Sequence, residues 1–295
     1  MAQIEIPSGL ALEYESYGSD SDPPVLMVMG IGTQLVGWPR DFCQQLAAGG
    51  RRVISFDNRD CGLSVRLDGV DARVEEVHAA VSAGDLTRAR ALAPYTLSDM
   101  SDDGFGLLSA LGIERAHVVG ASMGGMIAQT MAMEHPERVL TLTSMMSTTG
   151  EPDVGQSTPE ALAGLLAPAP PDREGYIASA DTWALWRSRR YPEPEEARAI
   201  AAESYDRGNY PEGLQRQLAA VLASGPRAAG LARLEVPTLV IHGLDDTLIA
   251  PSGGRRTAEL VPGAKLLLIE DMGHDRPPAL RARICAAIIE HTGQR

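Results

Sequence analysis

The clearest indication of the fold is the stretch "HVVGASMGGM", residues 117–126. Its first half is a short apolar run, typical of a strand that is buried on both faces of a parallel sheet. Its second half opens a helix-length segment. Ser122 stands between the halves in the form G-x-S-x-G, with Gly120 and Gly124 on either side. This spacing is typical of a tight, strained strand-to-helix turn, because larger side chains two positions away would collide with the neighbouring backbone.

Ser122 is therefore a candidate nucleophile. Ligands of doubly wound sheets bind outside the carboxyl ends of the strands, and the turn would expose the Ser122 hydroxyl at that edge. The alternative is a turn serine with no chemical role, since a bare G-x-S-x-G can arise by chance. The buried strand before Ser122 and the good helix "MGGMIAQTMAMEHPERV" after it favour the nucleophile.

The rest of the chain repeats the same alternation of strand and helix. Two alternating segments at the start, "QIEI" and "LALEYESYG", predict an antiparallel edge hairpin. Together with the runs below, they predict an open, mostly parallel α/β sheet of about eight strands. The further apolar runs that end in glycine or polar residues lie at 25–30, 52–57, 139–146, 237–243 and 265–271.

Two insertions interrupt this alternation. Residues 65–96 contain a polar helical segment that we expect on the surface. A longer excursion after residue 149 is rich in proline, alanine and helix formers, and it predicts about three or four helices. Because it leaves after one strand and returns before the next, we expect a helical cap at 150–231 over a core formed by 1–149 and 232–295.

Composition and charge exclude several classes of function. The 295 residues carry a net charge of −13, which disfavours binding to nucleic acid or anionic lipid through a basic face. The first residues have no basic segment followed by an apolar one, so we expect no signal peptide, and the apolar stretch "VLMVMGIG" is far short of the roughly 20 residues that span a bilayer. The three cysteines form no C-x-x-C pair, so neither a disulfide framework nor a zinc site is indicated. We expect a cytoplasmic protein without metal and without membrane insertion. The sequence leaves open whether the protein forms a homodimer.

A serine nucleophile needs a general base and an acid that orients it. Among six histidines, His274 in "DMGHDRPP" lies on a loop after the last strand, at the predicted catalytic edge. The others occupy strands, helices or the first insertion, and His242 at a strand end suits a core or supporting role. The acid should follow the preceding strand, in "HGLDDTLIA", where Asp245 and Asp246 are both candidates.

An oxyanion hole should complete the site. Its first donor would be the backbone N–H of Met123, at the amino end of the helix after Ser122. The second would be the N–H of Ile31, because Gly30 and Gly32 let the loop "MGIGTQLVGWP" approach closely. The alternative is a glycine-rich turn without a catalytic part. Trp38 at the end of this loop is a candidate wall of the substrate pocket, although packing in the core explains it equally well.

These motifs carry a resemblance to a known family. "VLMVMGIGTQLVGWP", "FDNRDCGLS", "AHVVGASMGGMIAQ", "PTLVIHGLDD" and "DMGHD" resemble the α/β-hydrolase superfamily. More narrowly they are similar to the bacterial carboxylesterase/lipase group with its LipG-type esterases and aclacinomycin methylesterases. The similarity covers both sheet halves and is weak across the cap. In that family the acid is the third residue after the glycine of H-G-x-x-D, which selects Asp246, while Met29 replaces the usual histidine before the oxyanion glycine.

The resemblance implies an α/β-hydrolase fold with a helical cap and the hydrolysis of a carboxylic ester without cofactor. Ser122, Asp246 and His274 would form the triad, acting on small or medium apolar esters. The same triad can serve a methylesterase for a bulky polyketide-like ester, a thioesterase, an acyltransferase or a cofactor-free haloperoxidase or perhydrolase. A hydrolase-fold binding protein without turnover is a remote alternative. Epoxide hydrolases and haloalkane dehalogenases are disfavoured because they need a carboxylate side chain in the place of Ser122.

Overall fold

Eight strands form one sheet in the computed structural model, which describes residues 1–293. The spatial order is β1-β2-β4-β3-β5-β6-β7-β8, and this confirms the predicted mostly parallel sheet of eight strands. Positions 294 and 295, the end of the predicted core, lie outside the described residues. The strands are β1 (Ala2–Glu5), β2 (Ala11–Tyr17), β3 (Pro24–Val28), β4 (Arg52–Phe56), β5 (Ala116–Ala121), β6 (Val139–Met145), β7 (Thr238–Gly243) and β8 (Lys265–Ile269).

The sheet is parallel except at one edge. β1 and β2 pair antiparallel as the predicted hairpin, and β2 also pairs antiparallel with β4. All later pairings are parallel, and β5 and β7 are buried along their whole length. A central parallel strand needs apolar residues on both faces because crossover helices cover both sides. The continuous apolar runs in the sequence have this cause.

Helices cover both faces of the sheet. On one face α4 and α5 pack against the sheet through residues such as Leu107 and Met131. On the other face α1 and α12 pack through residues such as Phe42 and Ile288. The helices are α1 (Arg40–Ala48), α2 (Val74–Ser82), α3 (Leu86–Leu92), α4 (Leu97–Ala110), α5 (Met123–Glu134), α6 (Pro159–Leu166), α7 (Arg173–Ser179), α8 (Pro194–Gly208), α9 (Pro211–Ser224), α10 (Ala228–Leu231), α11 (Pro251–Leu260) and α12 (Pro278–Thr292).

The segment between β6 and β7 contains α6 to α10 and a 3₁₀ segment at Ala180–Leu185. This is more elements than the three or four helices that we expected. The stretch that begins at Arg173 contains α7 and then the separate 3₁₀ segment. The extra elements are short, and short elements leave a weak periodic signal in a sequence.

Buried ion pairs tie these helices to the sheet. Arg207 of α8 lies 3.0 Å from Asp57, just after β4, and Arg216 of α9 lies 2.8 Å from Asp60. Both carboxylates are fully buried. A buried charge without a partner is costly, so each pair holds its helix in one place above the carboxyl edge. No helix among the described residues is long and apolar enough to cross a bilayer.

Candidate active site

Ser122 has the strained backbone that the glycine spacing predicts. Its dihedrals are φ 58° and ψ −124°, in a region that side chains rarely adopt. A Cβ atom at Gly120 would lie 2.0 Å from the carbonyl oxygen of Gly124, and one at Gly124 would lie 2.0 Å from that of Val28. These distances leave no room for any residue but glycine at either position. The turn thus brings the Ser122 side chain out between β5 and α5.

The loop between β8 and α12 carries His274. A Cβ atom at Gly273 would lie 2.4 Å from the carbonyl oxygen of Trp186, so the loop packs tightly against the segment after the 3₁₀ turn. The His274 N–H donates to the same carbonyl at 2.7 Å, and the Gly273 N–H donates to Ser188 Oγ at 2.9 Å. These contacts fix the backbone of the histidine.

Asp246 lies against His274, whereas Asp245 is exposed. The distance from His274 Nδ1 to Asp246 Oδ2 is 2.7 Å. The other carboxylate oxygen, Oδ1, accepts the backbone N–H groups of Leu248 and Ile249 at 2.9 Å each. Both oxygens of this buried carboxylate therefore have partners, and its orientation is fixed by the turn that follows β7.

The charge of Asp246 is strongly favoured in spite of its burial. Burial by itself raises the pKa of the carboxyl group, but His274 and the hydrogen bonds from His242 and His274 outweigh it and hold the pKa at about 2. The carboxylate is therefore ionised at neutral pH. An ionised carboxylate at Nδ1 keeps a proton on that nitrogen and leaves Nε2 free to accept one.

A second histidine, His242, also contacts Asp246. Its Nε2 lies 3.4 Å from Asp246 Oδ2 and 2.8 Å from the carbonyl oxygen of Ile249. The ring is fully buried, and Gly254 leaves space for it, since a Cβ atom there would lie 2.4 Å from Nδ1. This agrees with the supporting role that its place at a strand end suggested.

A cavity of about 270 Å³ lies between the sheet edge and the segment that joins β6 to β7. Ser122 and His274 both line it, as do Ile31, Trp183 and Trp186. Ser122 Oγ makes no hydrogen bond to any residue of 1–293, His274 included. Catalytic hydrogen bonds are often long before substrate binds.

The predicted oxyanion loop passes beside Ser122. A Cβ atom at Gly30 would lie only 3.1 Å from Ser122 Cβ, so the loop backbone passes directly beside the serine. Met123 is the first residue of α5, and the first N–H groups of a helix have no partner within it. The N–H groups of Ile31 and Met123 thus lie on the two backbone segments that flank Ser122.

Two residues that the sequence analysis missed hold this loop. Asn58, just after β4, donates its side-chain N–H to the carbonyl oxygen of Met29 at 2.9 Å. Gln217 of α9 accepts the Gly32 N–H at 2.8 Å and is fully buried. The resemblance quoted Asn58 within "FDNRDCGLS", but only the fold brings it beside a loop 29 residues away.

Trp38 does not take the place that we expected. Within residues 1–293, its neighbours Gly37 and Pro39 line the cavity but Trp38 does not. Its side chain is 2% exposed and stacks on Phe42 at a centroid distance of 5.9 Å. The structure therefore corrects the pocket assignment: Trp38 packs in the core behind the cavity, and the tryptophans of the inserted segment form the wall.

The described part of the chain offers little for a metal ion. Between residues 1 and 293 there is no group of three or more His, Cys, Asp or Glu side chains placed to hold one. Cys43, Cys61 and Cys285 are buried and free. Burial raises the pKa of the Cys43 and Cys285 thiols to about 12, so neither is a ready thiolate.

Comparisons with known proteins place the chain in a family. Residues 23–275 match the family model for the alpha/beta hydrolase fold. The chain is similar to the rhodomycin D methylesterases DauP of Streptomyces sp. strain C5 and DnrP of Streptomyces peucetius. It is 30% identical to each, over 94% of this chain and 93% of each relative.

A solved structure shows the same fold at lower identity. The meta-cleavage product hydrolase CumD of Pseudomonas fluorescens IP01 matches with a TM-score of 0.76 and 22% identity, over 100% of this chain and 98% of that chain. At this identity the likeness concerns the fold alone. The family model agrees with the mostly parallel sheet flanked by helices described above. The chain therefore belongs to the α/β-hydrolase family.

Proposed function

We propose that this α/β-hydrolase is a serine carboxylic ester hydrolase that works through an acyl-enzyme. The observation that carries the proposal is the placement of three side chains. Ser122 stands on a strained turn in the same cavity as His274, and Nδ1 of His274 lies 2.7 Å from the buried carboxylate of Asp246. A hydroxyl, an imidazole and a carboxylate in this order are the parts of an activated serine nucleophile.

The mechanism follows from the free ring nitrogen of His274. Its Nε2 takes the Ser122 proton as Oγ attacks the ester carbonyl carbon, and the carbonyl electron pair moves onto oxygen. When the tetrahedral intermediate collapses, the bond to the leaving alkoxide breaks and His274 gives it the proton. Water then repeats both steps on the acyl-enzyme and releases the carboxylic acid. Asp246 keeps Nδ1 protonated and stabilises the imidazolium that forms in each half.

The backbone N–H groups of Ile31 and Met123 would bind the oxyanion. Loss of one such donor typically costs about 3 kcal/mol of transition-state stabilisation. Asn58 and Gln217 support this role, because they hold the loop that carries Ile31 through hydrogen bonds of 2.9 and 2.8 Å. The site thus has donors that need no movement when charge develops on the carbonyl oxygen.

The cavity favours small or medium esters. Ligand pockets commonly enclose about 300 to 1,000 Å³, and a volume of about 270 Å³ lies just below that range. Leu165, Trp183 and Leu214 give it an apolar lining that suits a short acyl or alcohol group.

A second candidate is methylesterase action on a larger ester. It is favoured by the 30% identity to the two rhodomycin D methylesterases. A methyl leaving group is small, so the space for the acid part of the substrate decides between the two candidates. The same acyl-enzyme can form from a thioester, with a thiol as the leaving group, and it can be resolved by an alcohol or by peroxide in place of water. Turnover of a thioester substrate measures the first alternative, and product ratios with added methanol or peroxide measure the other two.

The test is kcat/KM for p-nitrophenyl esters from acetate to palmitate, with Ser122→Ala as the blank. We expect a maximum at short or medium chains that the variant abolishes. A methyl ester of a polycyclic acid is assayed beside the series to measure the second candidate. Equal turnover by Ser122→Ala would contradict the serine mechanism, and a preference for the polycyclic methyl ester would select the second candidate.

A further inference from the structure

Arg276 lies in the active-site cavity with an unusual set of partners. It is half-buried, lines the cavity beside His274 and follows that residue by two positions. Its Nη2 donates to the carbonyl oxygen of Gly37 at 2.9 Å, and its Nη1 lies 3.7 Å from the sulfur of Met146. Its Nε is buried without an acceptor. Of the five N–H donors of a guanidinium, only two have a partner among residues 1–293.

The neighbouring carboxylate of Asp275 is already committed elsewhere. Asp275 Oδ2 accepts Arg187 Nε at 3.1 Å, and Oδ1 accepts the backbone N–H of Ser188 at 3.1 Å and the Ser188 hydroxyl at 2.5 Å. No carboxylate within residues 1–293 forms an ion pair with Arg276. Burial lowers the pKa of the Arg276 guanidinium to about 10, and the nearby charge of Asp275 only partly offsets this.

The other arginines of this region are paired, which makes Arg276 the exception in its surroundings. Arg187, which also lines the cavity, bonds to Asp275 and to Glu196. Arg281 bonds to Asp41 at 2.8 Å and to Glu196. Buried charges in proteins are normally paired, because an unpaired one loses its hydration without compensation.

The contacts of Arg276 fix the position of its guanidinium but do not neutralise its charge. Its guanidinium lies 4.6 Å from the centroid of the Trp38 ring, and Gly37, whose carbonyl it binds, lies at the end of the oxyanion loop. A cation over an aromatic face is attracted to the ring and cannot be paired by it. The site is therefore a fixed positive charge with free donors, facing the same cavity as Ser122.

We propose that Arg276 binds a carboxylate carried by the ester substrate itself. This deepens the proposed function and rests on it: the preferred esters are monoanions. They are either half-esters of dicarboxylic acids or hydroxy acids that are acylated at the hydroxyl group and keep a free carboxylate. The planar guanidinium fork suits a carboxylate, which it binds through charged hydrogen bonds. A cavity of about 270 Å³ leaves room for a short chain between the ester carbon and the second carboxylate.

Two matched substrate pairs test the proposal and locate the charge. The acyl-side pair is p-nitrophenyl hydrogen glutarate and p-nitrophenyl glutaramate, which differ in one charge at nearly equal size. The alcohol-side pair is 3-acetoxybenzoate and 3-acetoxybenzamide. We expect the charged member of one pair to have the higher kcat/KM in wild type, measured at about 0.15 M salt so that long-range repulsion by the acidic protein is screened.

The decisive quantity is the charged-to-neutral ratio of kcat/KM in Arg276→Gln relative to wild type. Charged hydrogen bonds of this kind correspond to roughly 10- to 100-fold in binding, so we expect the ratio to fall tenfold or more for one pair, and Arg276→Lys to restore part of it. A general loss of activity through the Gly37 contact cancels in the ratio. The control is Arg198→Gln on α8, which removes an exposed ion pair with Asp181 and should leave both ratios unchanged. Ratios that change less than tenfold in both pairs would overturn the proposal.

A binding measurement separates this proposal from the proposed function. Calorimetry with Ser122→Ala compares the dissociation constants of the same substrate pairs without turnover. If Ser122→Ala binds a charged member more tightly than its neutral partner, and the double variant Ser122→Ala/Arg276→Gln does not, the subsite is supported even if wild type hydrolyses no ester. Equal binding of both members of each pair would refute the subsite even if ester hydrolysis is rapid.

Discussion

Replacement of Asp246 by Asn should remove nearly all activity while leaving the shape of the site intact. Oδ1 of Asp246 accepts two backbone N–H groups, and an asparagine carbonyl can accept both. The amide NH₂ would then face Nδ1 of His274 in place of Oδ2, which now lies 2.7 Å from it. Two donors cannot share that contact, so His274 must carry its proton on Nε2. In that tautomer the ring cannot take the proton of Ser122.

The size of the effect has two parts. The wrong tautomer typically costs about 10⁴-fold in kcat when a triad aspartate is changed in this way. The pKa of about 2 also measures stability, because it lies below the usual aspartate value of about 3.9. Since the folded pKa is depressed, the stabilisation is present above the unfolded pKa and is lost as the pH falls towards 2. At 1.36 kcal/mol per pKa unit, Asp246→Asn should lower the free energy of unfolding by about 3 kcal/mol at pH 7, and by less below pH 4.

The assay is kcat/KM on the best p-nitrophenyl ester, with urea unfolding at pH 7 and pH 3.5 on the same samples. The matched control is Asp245→Asn, since Asp245 is the exposed neighbour. We expect the control to keep activity within a few-fold of wild type. If Asp245→Asn is the damaging change, or if Asp246→Asn keeps a tenth of the activity, the assignment of the acid is refuted.

Three further predictions follow from the same contacts. Gly124→Ala should abolish the soluble folded protein or lower Tm sharply, because its Cβ would lie 2.0 Å from the Val28 carbonyl oxygen; a wild-type Tm with full activity would contradict the turn geometry. Asn58→Ala should lower the free energy of unfolding in urea by about 1 to 3 kcal/mol and reduce kcat, because the buried carbonyl of Met29 loses its donor. Because the pKa of Asp246 is about 2, its carboxylate stays ionised above pH 4 and should add no inflection to the profile of kcat/KM from pH 4 to 9; two separate inflections on the acid limb of the wild-type profile would argue against this.

Local patterns were sufficient to predict the sheet and the serine turn. β5 and β7 are buried along their whole length and are mostly apolar, and the G-x-S-x-G spacing around Ser122 is a local motif, although Gly124 is required by its contact with Val28 on a neighbouring strand. The choice of Asp246 over Asp245 came from the family pattern, and the structure supplies its physical reason. Asp245 is exposed, whereas Asp246 is 4% exposed and faces His274.

Contacts between distant parts of the chain were not predictable in the same way. Arg276 binds the carbonyl of Gly37 across 239 positions, and no periodicity links the two. Gln217 reaches Gly32 across 185 positions for the same kind of reason. Trp38 was placed on the cavity by its position after the oxyanion loop, but the side chain turns into the core to stack on Phe42. Position along a loop does not determine which side of the backbone a residue buries.

The most direct test of the account is the labelling of Ser122 by a fluorophosphonate or another organophosphate. Such reagents react with an activated serine hydroxyl and leave a stable adduct on it. We predict one adduct per chain, which peptide mass spectrometry maps to Ser122 and which forms at the same rate as esterase activity is lost. Ser122→Ala should form no adduct, and Asp246→Asn should form it at a greatly reduced rate. Esterase activity that survives full labelling, or an adduct on another residue that accounts for the loss, would contradict the assignment of Ser122 as the nucleophile.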